Sequence, residues 1–172
     1  MSKCIVFPGQ GSQYLGMGKY LFDNFKSSKQ VFEEVDCALG EELSKVIFGE
    51  DSDELNLTEN TQPAIMAVSI ATFEALKEVK GIDITNFQYS AGHSLGEYSA
   101  LVASGSIKLS DASKILKKRG QAMQSAVPIG KGAMAAILNI EIEQLENFIN
   151  EKKLSSIEIS NDNCPGQCVI SG

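Results

Sequence analysis

The chain has 172 residues, of which 43% are hydrophobic and 22% charged, which is ordinary for a globular protein with a sizeable core. Its net charge of −7 disfavours nucleic acid as a partner, because nucleic-acid binding rewards a basic surface. No apolar run in the sequence reaches membrane-spanning length, and the first residues lack a signal-peptide pattern. We therefore expect a soluble cytoplasmic protein that does not bind membranes.

The first part of the chain predicts one strand followed by several helices. Apolar periodicity and turn residues give a strand over 3–7, a glycine-rich loop over 8–16, helices over 17–25 and 29–39, a polar loop over 51–59 and a long helix over 61–79. Pro63 would then lie in the first turn of the long helix, where proline is tolerated. The glycine-rich loop lacks the spacing of a dinucleotide motif and of a P-loop, so it predicts flexible backbone and no phosphate site.

Residues 92–96 read GHSLG, the G-x-S-x-G pattern of a serine on a sharp turn between a strand and a helix. A strand is predicted over 87–91, and apolar residues recur at helical spacing over 95–104. In such a turn the hydroxyl of Ser94 is exposed beside the first N–H groups of a helix, which favour negative charge. The pattern therefore predicts a nucleophile, and the alternative is an ordinary exposed serine on a glycine-rich turn.

The last part of the chain predicts a helix and then a second, smaller unit. Ser110 is predicted to cap a helix that runs to residue 125, and residues 127–132 are predicted to form a hinge. The remaining elements are a strand over 133–138, a helix over 142–152 and strands over 157–160 and 167–171. This β-α-β-β order is most of a ferredoxin-like unit.

The cysteines do not predict a metal site. Cys164 and Cys168 are close in sequence, but their C-x3-C spacing has no histidine nearby, whereas zinc needs paired close ligands. Cys4 and Cys37 are isolated. We therefore expect four reduced thiols and no bound metal.

Arg119 is the one arginine among fifteen basic residues. A sequence that uses lysine everywhere else is expected to keep arginine for a task that lysine performs badly. The planar guanidinium grips a carboxylate with two parallel hydrogen bonds, which an ammonium group cannot do. Arg119 is therefore a candidate carboxylate-binding residue, and the alternative is a surface charge beside Lys117 and Lys118.

Five segments together resemble the malonyl-CoA:acyl-carrier-protein transacylase family of bacterial fatty-acid synthesis. They are IVFPGQGSQYLGMG (5–18), TQPA (61–64), GHSLGEYSA (92–100), GAMAAIL (132–138) and NDNCPGQCVISG (161–172). The resemblance runs in register along the whole chain, and acyltransferase domains of polyketide synthases share much of it. It implies an α/β fold, with an α/β-hydrolase-like large domain over 1–127 and an inserted ferredoxin-like small domain over 128–172.

The resemblance also implies the chemistry and the residues that carry it. Ser94 would take the malonyl group from malonyl-CoA and pass it to the phosphopantetheine thiol of acyl-carrier protein. The backbone N–H groups of Gln10 and Leu95 would form the oxyanion hole, and Arg119 would bind the malonyl carboxylate. No metal or redox cofactor is implied. Coenzyme A takes part as the thioester substrate.

The predicted chemistry needs a general base, and the sequence does not supply the histidine that the family uses. His93 is the one histidine, and a side chain adjacent to Ser94 points in a different direction, so we assign it a positioning role. Glu97 is expected to have a structural role in the first helical turn. Family members run to about 300 residues, roughly twice a 150-residue domain, and carry their histidine beyond the small domain. The chain is therefore interpreted as a portion truncated within the small domain and inactive alone.

Two other functions stay open from the sequence. One is a serine hydrolase or thioesterase, which would release malonate to water. The other is an inactive fragment that binds acyl-carrier protein and lacks the catalytic histidine. Because coenzyme A and acyl-carrier protein are acidic, a docking surface must be locally basic. The candidates for that surface are Lys114, Lys117, Lys118, Arg119 and Lys131.

Overall fold

The computed structural model describes residues 2–127 and 130–172 and shows an α/β protein. The chain separates into two compact units, and the division falls between Gln124 and Ser125. The assignment of residues 1–127 and 128–172 to a large and a small acyltransferase domain stays a prediction. No helix among the described residues is long and apolar enough to cross a membrane.

The first unit begins with strand β1 (Cys4–Phe7), which leads through the glycine-rich loop into helices α1 (Lys19–Asn24) and α2 (Lys26–Leu39). The two helices are separated by Phe25, whose extended backbone cannot continue a helix. Helix α2 ends at Gly40, whose left-handed conformation suits glycine at a helix C-terminus. These elements agree with the predicted strand and helices to within three residues.

Two short helices follow where the sequence predicted none. Helix α3 spans Leu43–Phe48 and helix α4 spans Ser52–Asn56. The prediction of a polar loop over 51–59 is therefore wrong. Asp51 explains the helix, because its side chain accepts hydrogen bonds from the N–H groups of Asp53 and Glu54 and caps α4.

Helix α5 (Thr58–Lys80) is the centre of the first unit. It begins three residues earlier than predicted, so Pro63 lies inside the helix and not in its first turn. Ala64, Met66 and Ala67 are fully buried on its inner face. Helices α2, α3 and α4 contribute to the same core, and their buried residues are Val31, Phe32, Val35, Leu43, Ile47 and Leu55.

Strand β2 (Tyr89–Gly92) pairs with β1 in a parallel two-stranded sheet. Helix α6 (Gly96–Ala103) follows β2 after a three-residue turn, and helix α7 (Leu109–Ala126) comes next. Because α7 begins at Leu109, Ser110 lies inside its first turn and the prediction that Ser110 caps this helix is wrong. A parallel pair whose second strand leads directly into a helix places that turn at the carboxyl end of the sheet.

The second unit contains strand β3 (Met134–Leu138), helix α8 (Ile142–Glu151), strand β4 (Glu158–Cys164) and strand β5 (Gln167–Ser171). The three strands form an antiparallel sheet with the order β3-β5-β4. β4 is longer than predicted and reaches the tight turn to β5 at Gly166. The hinge predicted over 127–132 includes Pro128 and Ile129, which lie outside the described residues.

Candidate active site

Ser94 lies on the turn between β2 and α6, at the carboxyl end of the parallel sheet. Phe7 pairs with Gly92 at the end of both strands, and the N–H of His93 donates to the carbonyl of Phe7 at 3.1 Å. Ser94 itself has a left-handed backbone with φ of 54°, which is unusual for a residue other than glycine. Such a conformation costs on the order of 1–3 kcal/mol, and it leaves the Ser94 side chain exposed.

The glycines on either side of Ser94 are required by close backbone contacts. A Cβ atom on Gly92 would overlap the carbonyl carbon of Gly96. A Cβ atom on Gly96 would overlap the carbonyl oxygen of Phe7, at the end of β1. The spacing G-x-S-x-G therefore reflects two places where the chain leaves no room for a side chain.

The start of the glycine-rich loop packs against this turn. A Cβ atom on Gly9 would lie 2.5 Å from Nδ1 of His93 and 2.8 Å from its carbonyl oxygen. Gln10 follows directly, and Leu95 is the N-terminal capping residue of α6. The backbone N–H groups of Gln10 and Leu95 form no hydrogen bond within residues 2–127 and 130–172. Both N–H groups can therefore donate to a negatively charged group.

Arg119 extends from α7 to Ser94. Its Nη2 donates a hydrogen bond to Oγ of Ser94 at 3.1 Å, and its Nη1 donates to Oε1 of Gln62 at 2.6 Å. Arg119 is half-buried, whereas Gln62, in α5, is completely buried. Ser94 and Arg119, which are 25 positions apart in the sequence, are thus brought together.

A glycine next to Arg119 allows α7 to approach the start of α5. A Cβ atom on Gly120 would overlap Cα of Glu59 and lie 2.7 Å from the carbonyl oxygen of Thr58. Gly120 is buried at this contact. The close approach sets the distance between Arg119 on one helix and Gln62 on the other.

The residues of the predicted basic docking surface have different surroundings in the structure. Lys114 and Lys118 are exposed on α7, but Nζ of Lys117 lies 2.6 Å from Oε1 of Glu41 and 2.9 Å from Oδ1 of Asn60. The charge of Lys117 is therefore paired with the carboxylate of Glu41. Lys131 belongs to the second unit.

The sequence did not single out Gln62 or Met123. Gln62 donates from Nε2 to Sδ of Met123 at 3.2 Å while it accepts from Arg119. Gln62 stands within the TQPA segment that carried the resemblance, but its buried amide gives no signal in the sequence. The described residues include no group of three or more His, Cys, Asp or Glu side chains that could hold a metal ion. The four cysteines are free thiols, and burial raises the pKa of the Cys168 thiol.

Comparison with known proteins identifies the family of this chain. Residues 4–172 match the family described as the acyl transferase domain, and the chain belongs to that family. The resemblance predicted from residues 92–100 and the four other segments is confirmed.

Two curated relatives cover the whole of this chain and have the same name. Malonyl CoA-acyl carrier protein transacylase of Bacillus subtilis (strain 168) is 48% identical over 175 residues, covering all of this chain and 54% of the relative. The protein of the same name from Staphylococcus aureus (strain COL) is 42% identical over 177 residues, covering all of this chain and 55% of the relative. This chain thus spans about half the length of the curated relatives it matches.

Solved structures of malonyl transacylases also superimpose on this chain. The acyl-carrier-protein-S-malonyltransferase from Bartonella henselae superimposes with a TM-score of 0.92 at 46% identity, covering all of this chain and 55% of that protein. A malonyl-transacylase in complex with a type II PKS acyl-carrier protein superimposes with a TM-score of 0.89 at 40% identity. That match also covers all of this chain and 55% of the other.

Proposed function

We propose that the whole protein transfers the malonyl group of malonyl-CoA to the phosphopantetheine thiol of acyl-carrier protein, in type II fatty-acid synthesis. The observation that carries this proposal is the hydrogen bond of 3.1 Å between Nη2 of Arg119 and Oγ of Ser94. It supports a site in which Arg119 binds the carboxylate at one end of a small acyl group and Ser94 attacks the carbonyl carbon at the other end. The names of the relatives, which are malonyl transacylases, support the same substrate.

The proposed reaction proceeds through a malonyl-serine ester. Oγ of Ser94 attacks the thioester carbonyl carbon and its proton passes to a base. The base then donates this proton to sulfur as the carbon–sulfur bond breaks and coenzyme A leaves as its thiol. The N–H groups of Gln10 and Leu95 stabilise the oxyanion, and Arg119 binds the free carboxylate. The thiol of acyl-carrier protein then gives its proton to the base and attacks the ester carbonyl carbon. The carbon–oxygen bond to Ser94 breaks, the new thioester forms, and the base donates the proton to Oγ of Ser94.

The proposal assigns the base to a histidine outside these 172 residues. The chain has one histidine, His93, whose ring lies against Gly9. A neighbouring residue on a sharp turn is poorly placed to accept the proton of Ser94, which supports a positioning role for His93. The relatives extend well beyond the matched region, which supports a base contributed from outside it.

We also propose the finer architecture that the resemblance implies. The parallel β1–β2 pair with its strand–turn–helix at Ser94 supports an α/β-hydrolase-like large domain. The β3-β5-β4 antiparallel sheet with helix α8 supports an inserted ferredoxin-like small domain. A structure of the whole protein would test both parts of this proposal.

The proposed reaction needs neither a metal nor a redox cofactor, because a serine oxygen is the nucleophile and no electrons are transferred. Malonyl-CoA is a substrate and acyl-carrier protein is the proposed partner. The four free thiols support a reducing compartment, and we place the reaction in the cytoplasm.

A labelling experiment on the whole protein tests this function. Incubation with malonyl-CoA should add a malonyl mass to the peptide that contains Ser94, and Ser94→Ala should abolish it. Label on a cysteine would contradict the assignment of the nucleophile. Measuring malonyl-acyl-carrier protein against free malonate then distinguishes a transferase from a serine hydrolase, since a hydrolase releases malonate to water. A protein that binds acyl-carrier protein without acquiring label would be a binding module.

A further inference from the structure

The side-chain amide of Gln62 is held at both ends. Its Oε1 accepts from Nη1 of Arg119 at 2.6 Å, and its Nε2 donates to Sδ of Met123 at 3.2 Å. Gln62 is fully buried, so its amide does not reach solvent in this arrangement, whereas Arg119 is half-buried and Met123 is 47% exposed. Arg119 and Met123 are four positions apart on α7, which puts them on one face of that helix.

The two contacts define one orientation of the amide. A guanidinium only donates hydrogen bonds, and a thioether sulfur only accepts them. If the amide turned by half a circle, its NH₂ group would face the N–H groups of Arg119, and its oxygen would face the sulfur of Met123. Both of these contacts would be repulsive, so Arg119 and Met123 together select the orientation that is observed.

We propose that Met123 is a positioning residue for the malonyl-binding arginine, and this inference rests on the proposed function. The sulfur of Met123 fixes the amide of Gln62, and the amide oxygen then occupies Nη1 of Arg119. Nη2 is left directed at Ser94, where the acyl group is to be bound. A guanidinium that is held before the substrate arrives loses less freedom when it binds the carboxylate.

A side chain of similar volume without a sulfur atom would not hold the amide of Gln62 in this orientation. Leucine at position 123 would fill the same space, but it would leave Nε2 of Gln62 without an acceptor in a buried place. Rotation of the amide or of Arg119 would then relieve this mismatch, and the guanidinium would be aimed less well. Met123→Leu is therefore a change of hydrogen bonding at nearly constant volume.

The test compares malonyl with acetyl transfer in the whole protein, because acetyl has no carboxylate for Arg119 to hold. Met123→Leu should lower the ratio of kcat/KM for malonyl to that for acetyl by about three- to tenfold, the effect of one modest hydrogen bond. Met66→Leu is the control for the loss of a thioether elsewhere in the first unit, and it should leave the ratio unchanged, although Met66 is fully buried and Met123 is 47% exposed. Equal losses for both acyl groups in Met123→Leu would overturn the proposal.

A double-mutant cycle separates hydrogen bonding from packing. In a Gln62→Leu background there is no amide to orient, so Met123→Leu should cause no further fall in the ratio. The same fall in both backgrounds would show that Met123 acts by packing alone and would overturn the proposal. Failure of the proposed function would look different, because Ser94 would then carry no malonyl group in the unmodified protein.

Discussion

At the scale of single residues, the site combines a strained serine with a guanidinium already in contact with it. The left-handed backbone of Ser94 is held by the strand pairing before it and the helix after it. Its hydroxyl lies 3.1 Å from Nη2 of Arg119, so the cation sits close to where an acyl group on Ser94 would extend. Under the proposed function, this arrangement requires that Arg119 contributes more to substrates with a free carboxylate than to substrates without one.

Replacement of Arg119 tests that requirement. In the whole protein, Arg119→Ala should weaken malonyl transfer by about 2–5 kcal/mol in transition-state binding, the usual cost of breaking a desolvated charge pair. Acetyl transfer should suffer far less, because acetyl has no carboxylate to lose. Steady-state kcat/KM with malonyl-CoA and acetyl-CoA measures both effects.

Arg119→Lys is the informative companion variant. Lysine keeps the charge but cannot reproduce the planar fork, so it should restore malonyl transfer only in part. Asp111→Asn, at an exposed position of the same helix, is the control and should change neither reaction. If Arg119→Ala reduced both transfers equally, Arg119 would be maintaining the fold and not reading the substrate.

The sequence was sufficient to predict Ser94 and Arg119 but not the residues around them. Ser94 follows from the spacing of two glycines that the backbone requires, and Arg119 from the use of lysine at every other basic position. Gln62 and Met123 are separated by 61 positions and meet only because α7 comes close to the beginning of α5. No local pattern encodes such a contact, so single-residue reasoning could not find it.

At the scale of elements, the site depends on how α7 approaches the beginning of α5. Gly120 lies directly on the backbone of Thr58 and Glu59, without room for a side chain. Arg119 and Gln62 are held beside this contact and inherit their separation from it. The contact of two helices, more than any single hydrogen bond, therefore places the guanidinium.

Gly120→Ala separates two opposing effects. Alanine favours a helix interior over glycine by about 1 kcal/mol, which would stabilise α7 in isolation. The added methyl group must push α7 away from α5, and overpacking of this kind costs about 1–3 kcal/mol. Because the overlap involves backbone atoms that cannot rotate away, we expect net destabilisation and a lower melting temperature.

Thermal unfolding followed by circular dichroism measures the effect of Gly120→Ala. Ala122→Gly offers a comparison on the same helix, since it changes helix propensity in the opposite sense. A variant Gly120→Ala that melts at a higher temperature than the unmodified protein would show that α7 does not rest on α5 in solution.

The two helices that the sequence did not predict are short. Helices α3 and α4 are six and five residues long, too short for an apolar period to stand out. Asp51 was a usable signal, since it caps α4, but the acidic and polar residues after it favoured a loop. The long helix α5 was predicted to within three residues because its apolar pattern extends over many turns.

At the scale of the whole molecule, the sheet of the first unit is small and its apolar surface is open. Val6 on β1 and Tyr89 on β2 are 72% and 66% exposed. A groove of about 360 Å³ runs beside β1 and is lined by apolar residues of β1 and α5, including Val6, Phe7, Ile65 and Phe73. Exposed strand edges with apolar neighbours favour association, so a polypeptide of these 172 residues should self-associate.

That polypeptide should transfer malonyl far more slowly than the whole protein. These 172 residues contain the proposed nucleophile, both proposed oxyanion donors and Arg119, but their single histidine lies against Gly9. Without general-base help, acyl transfer by Ser94 should be slower by about 10²–10⁴-fold than in the whole protein. Transfer of malonyl to acyl-carrier protein by the purified polypeptide, compared with the whole protein and with Ser94→Ala, measures this. Turnover near that of the whole protein would mean that a base is present within the chain, and loss of that turnover in His93→Ala would identify it.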